Sequence, residues 1–282
     1  MTPPPRSHYL TVEGHEIHVL EWGPADGPAI VLWHGLTRNA RDFDTLARHL
    51  AARRRVIVPD TIGRGLSQWA TDPDRDYSLR VYATQAAGLV DTLGLDRFDW
   101  IGTSMGGLIG IIAAAGPLRG RVARLVLNDV GPVQPQAAIG PIVTYAGNPP
   151  AFATLRGVEA YLRKIYASWS PMTDIEWRGI AEASARRLPD GQLTLNYDPR
   201  IVRQLTGHPD ERDLWAEWDA ITAPVLTLRG AQSTVLPRNV AAEMQTRGPR
   251  CPVIEIPGCG HVPSLNTADQ FALIERFLED QS

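Results

Sequence analysis

A serine, a histidine and an aspartate stand at three points of the chain where a strand signal gives way to a turn. Ser104 lies in a G-x-S-x-G pattern, His261 follows the apolar run 253–256, and Asp129 follows the apolar run 122–127. A histidine that accepts a serine proton, and that a carboxylate orients, turns the hydroxyl into a nucleophile towards a carbonyl carbon. The three residue types therefore predict covalent catalysis by acyl transfer.

The pattern around Ser104 is typical of a tight turn between a strand and a helix. The strand signal 98–102 precedes it, and the small-residue helix signal 108–115 follows it. Glycines let strand and helix approach closely, and the helix dipole favours negative charge that develops near the serine. We predict that Ser104 is the nucleophile. The alternative is a serine that only caps a helix in a glycine-rich turn.

Acyl transfer also needs N–H donors that point at the developing oxyanion. The pair His34-Gly35 directly follows the apolar strand signal 29–33, and a glycine there allows the backbone to approach the reacting atoms. We predict that the backbone amides of Leu36 and Met105 form an oxyanion hole. His34 itself is interpreted as a structural histidine.

Alternating strand and helix signals surround these residues. The pattern implies βαβ units, and it predicts an α/β fold with a mostly parallel sheet and helices on both faces. Because such sheets bind ligands at the carboxyl ends of their strands, His261 is placed to reach Ser104 as the base. The alternative for His261 is a loop histidine with no role. The strand signals are at residues 16–22, 29–33, 55–59, 98–102, 122–127, 225–228 and 253–256.

The alternation stops between residues 131 and 219, where no strong strand signal occurs. We predict a helical insertion at 131–219 that interrupts one core domain formed by residues 1–130 and 220–282. The insertion's tryptophans either line an apolar pocket or pack the insertion onto the sheet, and packing is favoured for each one. Its clearest helical stretches and its tryptophans are 157–169, 174–187, Trp169, Trp177, Trp215 and Trp218.

Composition excludes several other classes of protein. The net charge of −3 provides no basic field for nucleic acid or an anionic membrane surface. Two cysteines exclude a disulfide framework and a cysteine-rich metal site, and the scattered histidines form no metalloprotease motif. The N-terminal residues contain no apolar signal core, and no apolar run reaches the ~18 residues of a membrane span. We predict a cytoplasmic protein that needs neither metal nor cofactor.

In order and spacing these residues resemble the α/β-hydrolase superfamily over nearly the whole chain. The resemblance implies that Ser104 and His261 are nucleophile and base, that Asp60 is structural, and that residues 131–219 are a cap over the active site. The matching stretches are His34-Gly35, Asp60 with Gly63-Arg64-Gly65 and Ser67, Gly102-Thr103-Ser104-Met105-Gly106, and Gly260-His261.

The acid of the triad departs from the common pattern of that superfamily. The acid commonly follows the strand that is here 225–228, but residues 230–236 contain no carboxylate. A minority of the superfamily places it one strand earlier, where Asp129 stands. Asp129 would then orient His261 through Nδ1–H. The alternative is a loop aspartate that shapes the start of the insertion together with Gly131-Pro132.

The expected reaction is hydrolysis of a small-molecule carboxylic ester or lactone through an acyl-enzyme on Ser104. The same residues also fit a C–C bond hydrolase, an amidase, a perhydrolase or a cofactor-free dioxygenase that uses only the His–Asp pair as a base. The loop without a carboxylate fits a ligand-sensing receptor with vestigial hydrolysis. Epoxide hydrolases and haloalkane dehalogenases of this fold need an aspartate where Ser104 stands, and are therefore excluded.

Overall fold

The computed structural model describes residues 3–279 of the chain. Within them, strands and helices alternate through the first half, as predicted. The strands are β1 Arg6–Val12, β2 His15–Trp22, β3 Ala29–Trp33, β4 Arg55–Pro59, β5 Phe98–Thr103, β6 Val122–Asn128, β7 Ala185–Arg187, β8 Leu193–Leu195, β9 Val225–Gly230 and β10 Val253–Ile256. The α-helices are α1 Asp44–Leu50, α2 Pro73–Asp76, α3 Leu79–Thr92, α4 Met105–Ala115, α5 Gln136–Gly147, α6 Leu155–Ile165, α7 Asp174–Ser184, α8 Arg203–Thr206, α9 Trp215–Ala220, α10 Arg238–Met244 and α11 Ala268–Glu279.

Eight of the strands form one sheet in the order β1-β2-β4-β3-β5-β6-β9-β10. β2 runs antiparallel to both β1 and β4, and every other pair of neighbours is parallel. The predicted mostly parallel sheet is therefore confirmed. β1 was not expected from the sequence, since this edge strand is largely exposed and has no apolar run.

Apolar layers cover both faces of the sheet. Val31 and Trp33 of β3 belong to the cluster that includes residues of α3 and α4, and the Trp33 ring stacks on Trp100 at 5.0 Å. The alternate residues Ile30 and Leu32 belong to the cluster that includes residues of α1 and α11. Because successive strand side chains point to opposite faces, one apolar run fills both layers. The predicted helices on both faces are confirmed.

The chain between β6 and β9 contains α5 to α9 and also a short hairpin, β7–β8. The sequence predicted only helices here, with one of them over 174–187, and that prediction was wrong at its end. α7 stops at Ser184, and Ala185–Arg187 pairs antiparallel with Leu193–Leu195. A turn with Gly191 at φ 85° joins the two strands. Strands of three residues are too short for alternation to be recognised in sequence.

Within residues 3–279, none of the helices combines the length and the apolar character that a membrane span requires.

Candidate active site

Ser104 occupies a strained turn between β5 and α4. Its backbone has φ 51° and ψ −115°, in the left-handed region that a residue with a side chain rarely adopts. A Cβ atom on Gly102 would collide with the backbone of Gly106, and one on Gly106 would collide with the carbonyl of Trp33. Only glycine fits at these two positions, so the G-x-S-x-G pattern forms the tight turn that the sequence predicted.

The three predicted residues meet at the carboxyl edge of the sheet. Ser104 follows β5, Asp129 follows β6, and His261 lies in the loop after β10. His261 Nε2 lies 3.0 Å from Ser104 Oγ, and His261 Nδ1 lies 2.6 Å from Asp129 Oδ2. With Nδ1–H donating to the carboxylate, Nε2 is left to accept the serine proton. This is the arrangement in which a serine hydroxyl becomes nucleophilic.

Asp129 is fully buried and is held by two further donors. The backbone N–H of Gly230 donates to Oδ1 at 2.8 Å, and the hydroxyl of Ser233 donates to Oδ2 at 2.6 Å. Together with His261 these donors stabilise a carboxylate away from water, which burial alone would disfavour. The role of Ser233 was not predicted. The signal for it was the position of this hydroxyl in the loop that lacked the usual carboxylate.

The two amides predicted as an oxyanion hole are free to donate. Leu36 and Met105 line one small cavity with Ser104. Gly35 lies beside Ser104, since a Cβ atom built on Gly35 would be 3.8 Å from Ser104 Cβ. Within residues 3–279, the N–H groups of Leu36 and Met105 donate no hydrogen bond. A developing oxyanion at Ser104 would need two such unpaired amides.

His34 is structural, as predicted. Its Nδ1–H donates to the Gly35 carbonyl at 2.7 Å, and its Nε2 accepts the Thr61 N–H at 2.9 Å. Burial lowers the pKa of His34 to about 4, because the charged imidazolium is disfavoured away from water. A neutral His34 therefore connects the turn after β3, residues 34–36, to the residues after β4.

Asp60 also has the structural role predicted for it. Its Oδ1 accepts the N–H of Ala40 at 2.7 Å, and its Oδ2 accepts the N–H of Leu66 at 2.9 Å. His18 of β2 lies 2.8 Å from Oδ2. The carboxylate thereby joins the turn after β4 to β2 and to the short helix that begins at Ala40.

Two cavities lie along this edge of the sheet. The cavity lined by Ser104 measures about 50 Å³ and is mostly apolar. A larger cavity of about 440 Å³ lies between residues 41–45, 176–183 and 262–266. Thr103 and Asn128 line the larger cavity but Ser104 does not. Ser104 therefore opens to the smaller of the two cavities.

The tryptophans of the insertion divide between packing and cavity lining. Trp177 and Trp218 are buried in the core cluster, in agreement with the packing prediction. Trp169 instead lines the larger cavity, stacks on Tyr166 at 3.9 Å and meets the His261 ring edge-on at 6.4 Å. Trp169 thus both packs against neighbouring rings and lines a cavity.

Among residues 3–279, no three His, Cys, Asp or Glu side chains are grouped so that they could hold a metal ion. Cys251 and Cys259 are buried free thiols. Burial raises the pKa of the Cys251 thiol to about 11, which keeps it protonated and unreactive. Cys259 belongs to the apolar cluster on the α1 and α11 face, as expected of a small buried hydrophobic residue.

Comparisons with known proteins agree with this geometry. A model of the alpha/beta hydrolase family matches residues 30–272. The 3-hydroxybutyrate-oligomer hydrolase of Cupriavidus necator is 39% identical over 273 residues, which cover 93% of this chain and 92% of the relative. The 2-(acetamidomethylene)succinate hydrolase of Mesorhizobium japonicum is 28% identical, over 83% of this chain and 82% of the relative.

A solved structure extends the similarity to the whole fold. The crystal structure of an alpha/beta hydrolase from Novosphingobium aromaticivorans covers 98% of both chains with a TM-score of 0.86 and 34% identity. The family model spans most of the chain, including all the strands from β3 to β10. The chain is a hydrolase of this fold, and it belongs to the α/β hydrolase family.

Proposed function

We propose that this protein hydrolyses a carboxylic ester through an acyl-enzyme on Ser104. The observation that carries the proposal is the position of His261, 3.0 Å from Ser104 Oγ and 2.6 Å from Asp129 Oδ2. His261 Nε2 takes the hydroxyl proton as Oγ attacks the carbonyl carbon. The amides of Leu36 and Met105 donate to the resulting oxyanion.

The second half of the reaction releases the products and restores the protonated Ser104 hydroxyl. Protonated His261 donates its Nε2 proton to the leaving alcohol as the ester C–O bond breaks. His261 then removes a proton from water, and the hydroxide attacks the acyl carbon. Collapse of that intermediate breaks the bond to Ser104 Oγ, which takes the proton back from His261. Asp129 stabilises the imidazolium in both halves of the reaction. The Ser233 hydroxyl and the Gly230 N–H hold the Asp129 carboxylate in place.

An ester is favoured as the substrate by the relative with 39% identity, whose name describes hydrolysis of 3-hydroxybutyrate oligomers. Lactones belong to the same class, because they present the same carbonyl and C–O bond. The cavity at Ser104 measures about 50 Å³, a few times the roughly 10–15 Å³ that a cavity needs on the same measure to hold one water molecule. A short acyl group therefore suits this side of the nucleophile.

Residues 131–219 act in this proposal as a cap that closes the acyl cavity. Six residues of α5 and of the segment that leads into it, together with Gln204 and Leu205, line the cavity from one side. Ser104, Met105 and Leu108 line it from the core side. The insertion thus supplies much of the surface that an acyl chain would contact.

Amide hydrolysis is the second candidate. It is favoured by the 28% identity to the hydrolase of 2-(acetamidomethylene)succinate, whose name describes an acetamido compound. The same histidine would protonate a leaving nitrogen instead of a leaving oxygen. A substrate panel that pairs each ester with the matching anilide separates the two candidates.

The test compares wild-type protein with Ser104→Ala on 4-nitrophenyl butyrate, a lactone and a butyryl anilide. We expect ester turnover, and a loss of at least a thousandfold in kcat for Ser104→Ala. Thr92→Ala, which removes an exposed hydroxyl at the end of α3, is the control. A fluorophosphonate should add to Ser104, as intact mass would show. Full turnover by Ser104→Ala would refute the acyl-enzyme, and would favour the His–Asp base mechanism instead.

A further inference from the structure

Arg64 is a fully buried side chain whose guanidinium contacts the turn after β3, residues 34–36. Its Nε–H donates to the Leu36 carbonyl at 2.8 Å, and its Nη1 donates to the Ile62 carbonyl and the Tyr82 hydroxyl, each at 2.8 Å. The Tyr82 ring lies 5.1 Å from the guanidinium carbon. Within residues 3–279, Arg64 forms no ion pair with a carboxylate. Its positive charge is therefore met by carbonyl and hydroxyl oxygens and by aromatic rings.

The remaining nitrogen of Arg64 orients Gln204. Arg64 Nη2 lies 3.5 Å from Gln204 Oε1. A guanidinium can only donate, so the amide turns its oxygen towards Arg64 and its Nε2–H₂ group away. Gln204 is 4% exposed and lines the cavity at Ser104. In the described part of the chain its Nε2 makes no hydrogen bond. The Nε2–H₂ group keeps accessible surface, so it can donate to a bound ligand.

A second glutamine that lines the same cavity, Gln134, has an unused acceptor where Gln204 has an unused donor. Gln134 Nε2 donates to the Glu211 carbonyl at 3.0 Å, which fixes the direction of the amide. Its Oε1 accepts no hydrogen bond from any residue between 3 and 279. Apart from Ser104, these two glutamines are the polar side chains among the residues that line the cavity. One cavity of about 50 Å³ thus holds a free donor and a free acceptor among apolar neighbours.

We propose that Gln204 and Gln134 bind a hydroxyl group on the acyl part of the substrate, so that hydroxyacyl esters are preferred over plain acyl esters. Gln204 Nε2–H donates to the hydroxyl oxygen, and Gln134 Oε1 accepts the hydroxyl hydrogen. A plain alkyl chain of the same length leaves both amides unpaired in an apolar cavity, which is how polar sites reject analogues that lack a hydroxyl. Arg64 is a positioning residue that acts through Gln204. The inference rests on the proposed function and narrows its substrate.

The test measures kcat/KM for 4-nitrophenyl 3-hydroxybutyrate and 4-nitrophenyl butyrate, which differ only in the hydroxyl. We expect the wild-type protein to prefer the hydroxy ester by roughly tenfold or more, the effect of one hydrogen bond. Gln204→Met should bring this ratio towards one. Gln204→Glu keeps the size of the side chain but has no N–H donor, so it should lower the ratio as well. Gln245→Met makes the same change at an exposed glutamine and should retain the wild-type ratio.

The outcomes separate this inference from the proposed function. A wild-type ratio near one, or a ratio unchanged in both Gln204 variants, overturns the inference. In either case, Ser104-dependent turnover of the butyrate ester leaves the proposed function standing. Turnover of neither ester overturns both. Because the readout is a ratio within each variant, a general loss of folded protein does not imitate the expected result.

Discussion

The hydroxyl of Ser233 lies 2.6 Å from Asp129 Oδ2, although 104 residues separate the two in sequence. Asp129 directly follows β6, and Ser233 lies in the loop after β9, the neighbouring parallel strand. The loop that commonly carries the acid in this superfamily thus carries a donor here, and the carboxylate that contacts His261 stands one strand away. Both loops serve one carboxylate position next to His261.

Replacing Asp129 by asparagine should remove most of the activity and leave the fold intact. The amide has nearly the same size, but its N–H₂ group facing His261 favours the wrong tautomer, with the proton on Nε2. We expect kcat to fall roughly 10³- to 10⁴-fold. Steady-state kinetics and the thermal unfolding midpoint of the same sample check this. Wild-type kcat in Asp129→Asn would show that the acid lies elsewhere.

Ser233→Ala should have a smaller effect that depends on Asp129. The change removes one of the hydrogen bonds to the buried carboxylate, and we expect roughly a tenfold loss of kcat. A double-mutant cycle supplies the control: adding Ser233→Ala to Asp129→Asn should cost little more. If the two losses simply multiply, Ser233 does not act through Asp129.

Gly106→Ala should destabilise the protein, because a Cβ atom there would collide with the carbonyl of Trp33. We expect the free energy of unfolding to fall by about 3 kcal/mol. Gly179→Ala is the matched control, since nothing lies within 4 Å of a Cβ atom at that exposed position of α7. That variant should gain about 0.5–1 kcal/mol of helix stability. Urea unfolding of both variants measures the difference, and equal changes would contradict the close approach.

The buried His34 should make stability depend on pH below neutrality. Its pKa is about 4 in the folded protein, against 6.5 for an ordinary histidine. Between these values the unfolded chain binds the proton and the folded chain does not. The contribution of His34 is therefore fully present above pH 6.5 and is lost as the pH falls towards 4. The loss amounts to about 3 kcal/mol over the interval.

The measurement for His34 is the free energy of unfolding at several pH values for wild type and His34→Gln. Other groups titrate in both proteins, so the difference between the two slopes isolates His34. The variant should be less stable near pH 7 because it cannot reproduce both hydrogen bonds to Gly35 and Thr61. Parallel pH profiles would refute the prediction.

The sequence sufficed to predict that Ser104, Asp129 and His261 come together, and the structure places them in contact. Ser104, Asp129 and His261 each follow an apolar run, and parallel strands bring such positions to one edge of the sheet. The glycines around Ser104 were informative for the same reason, since sterics leave no other residue at Gly102 and Gly106. Local sequence and global fold agree at these positions.

Contacts between side chains distant in sequence could not be predicted. The donor role of Ser233 depends on the register of β6 against β9, and the direction of Gln204 depends on a guanidinium 140 residues away. Neither relation leaves a periodic pattern. β1 and the β7–β8 hairpin were missed because an exposed edge strand and three-residue strands lack the apolar alternation by which strands are recognised.

The position of Asp129 has a consequence for exchanging parts between relatives. Asp129 is the first residue after β6, so the carboxylate that contacts His261 lies at the start of the segment between β6 and β9. The Leu214 N–H donates to the Pro132 carbonyl at 2.7 Å, which ties the far end of the segment back to its start. On the proposed mechanism, a chimera that grafts a foreign segment at residue 129 would replace the acid along with the surface that lines the cavity. A splice that leaves residues 129–132 and Leu214 native would transplant selectivity and keep the chemistry.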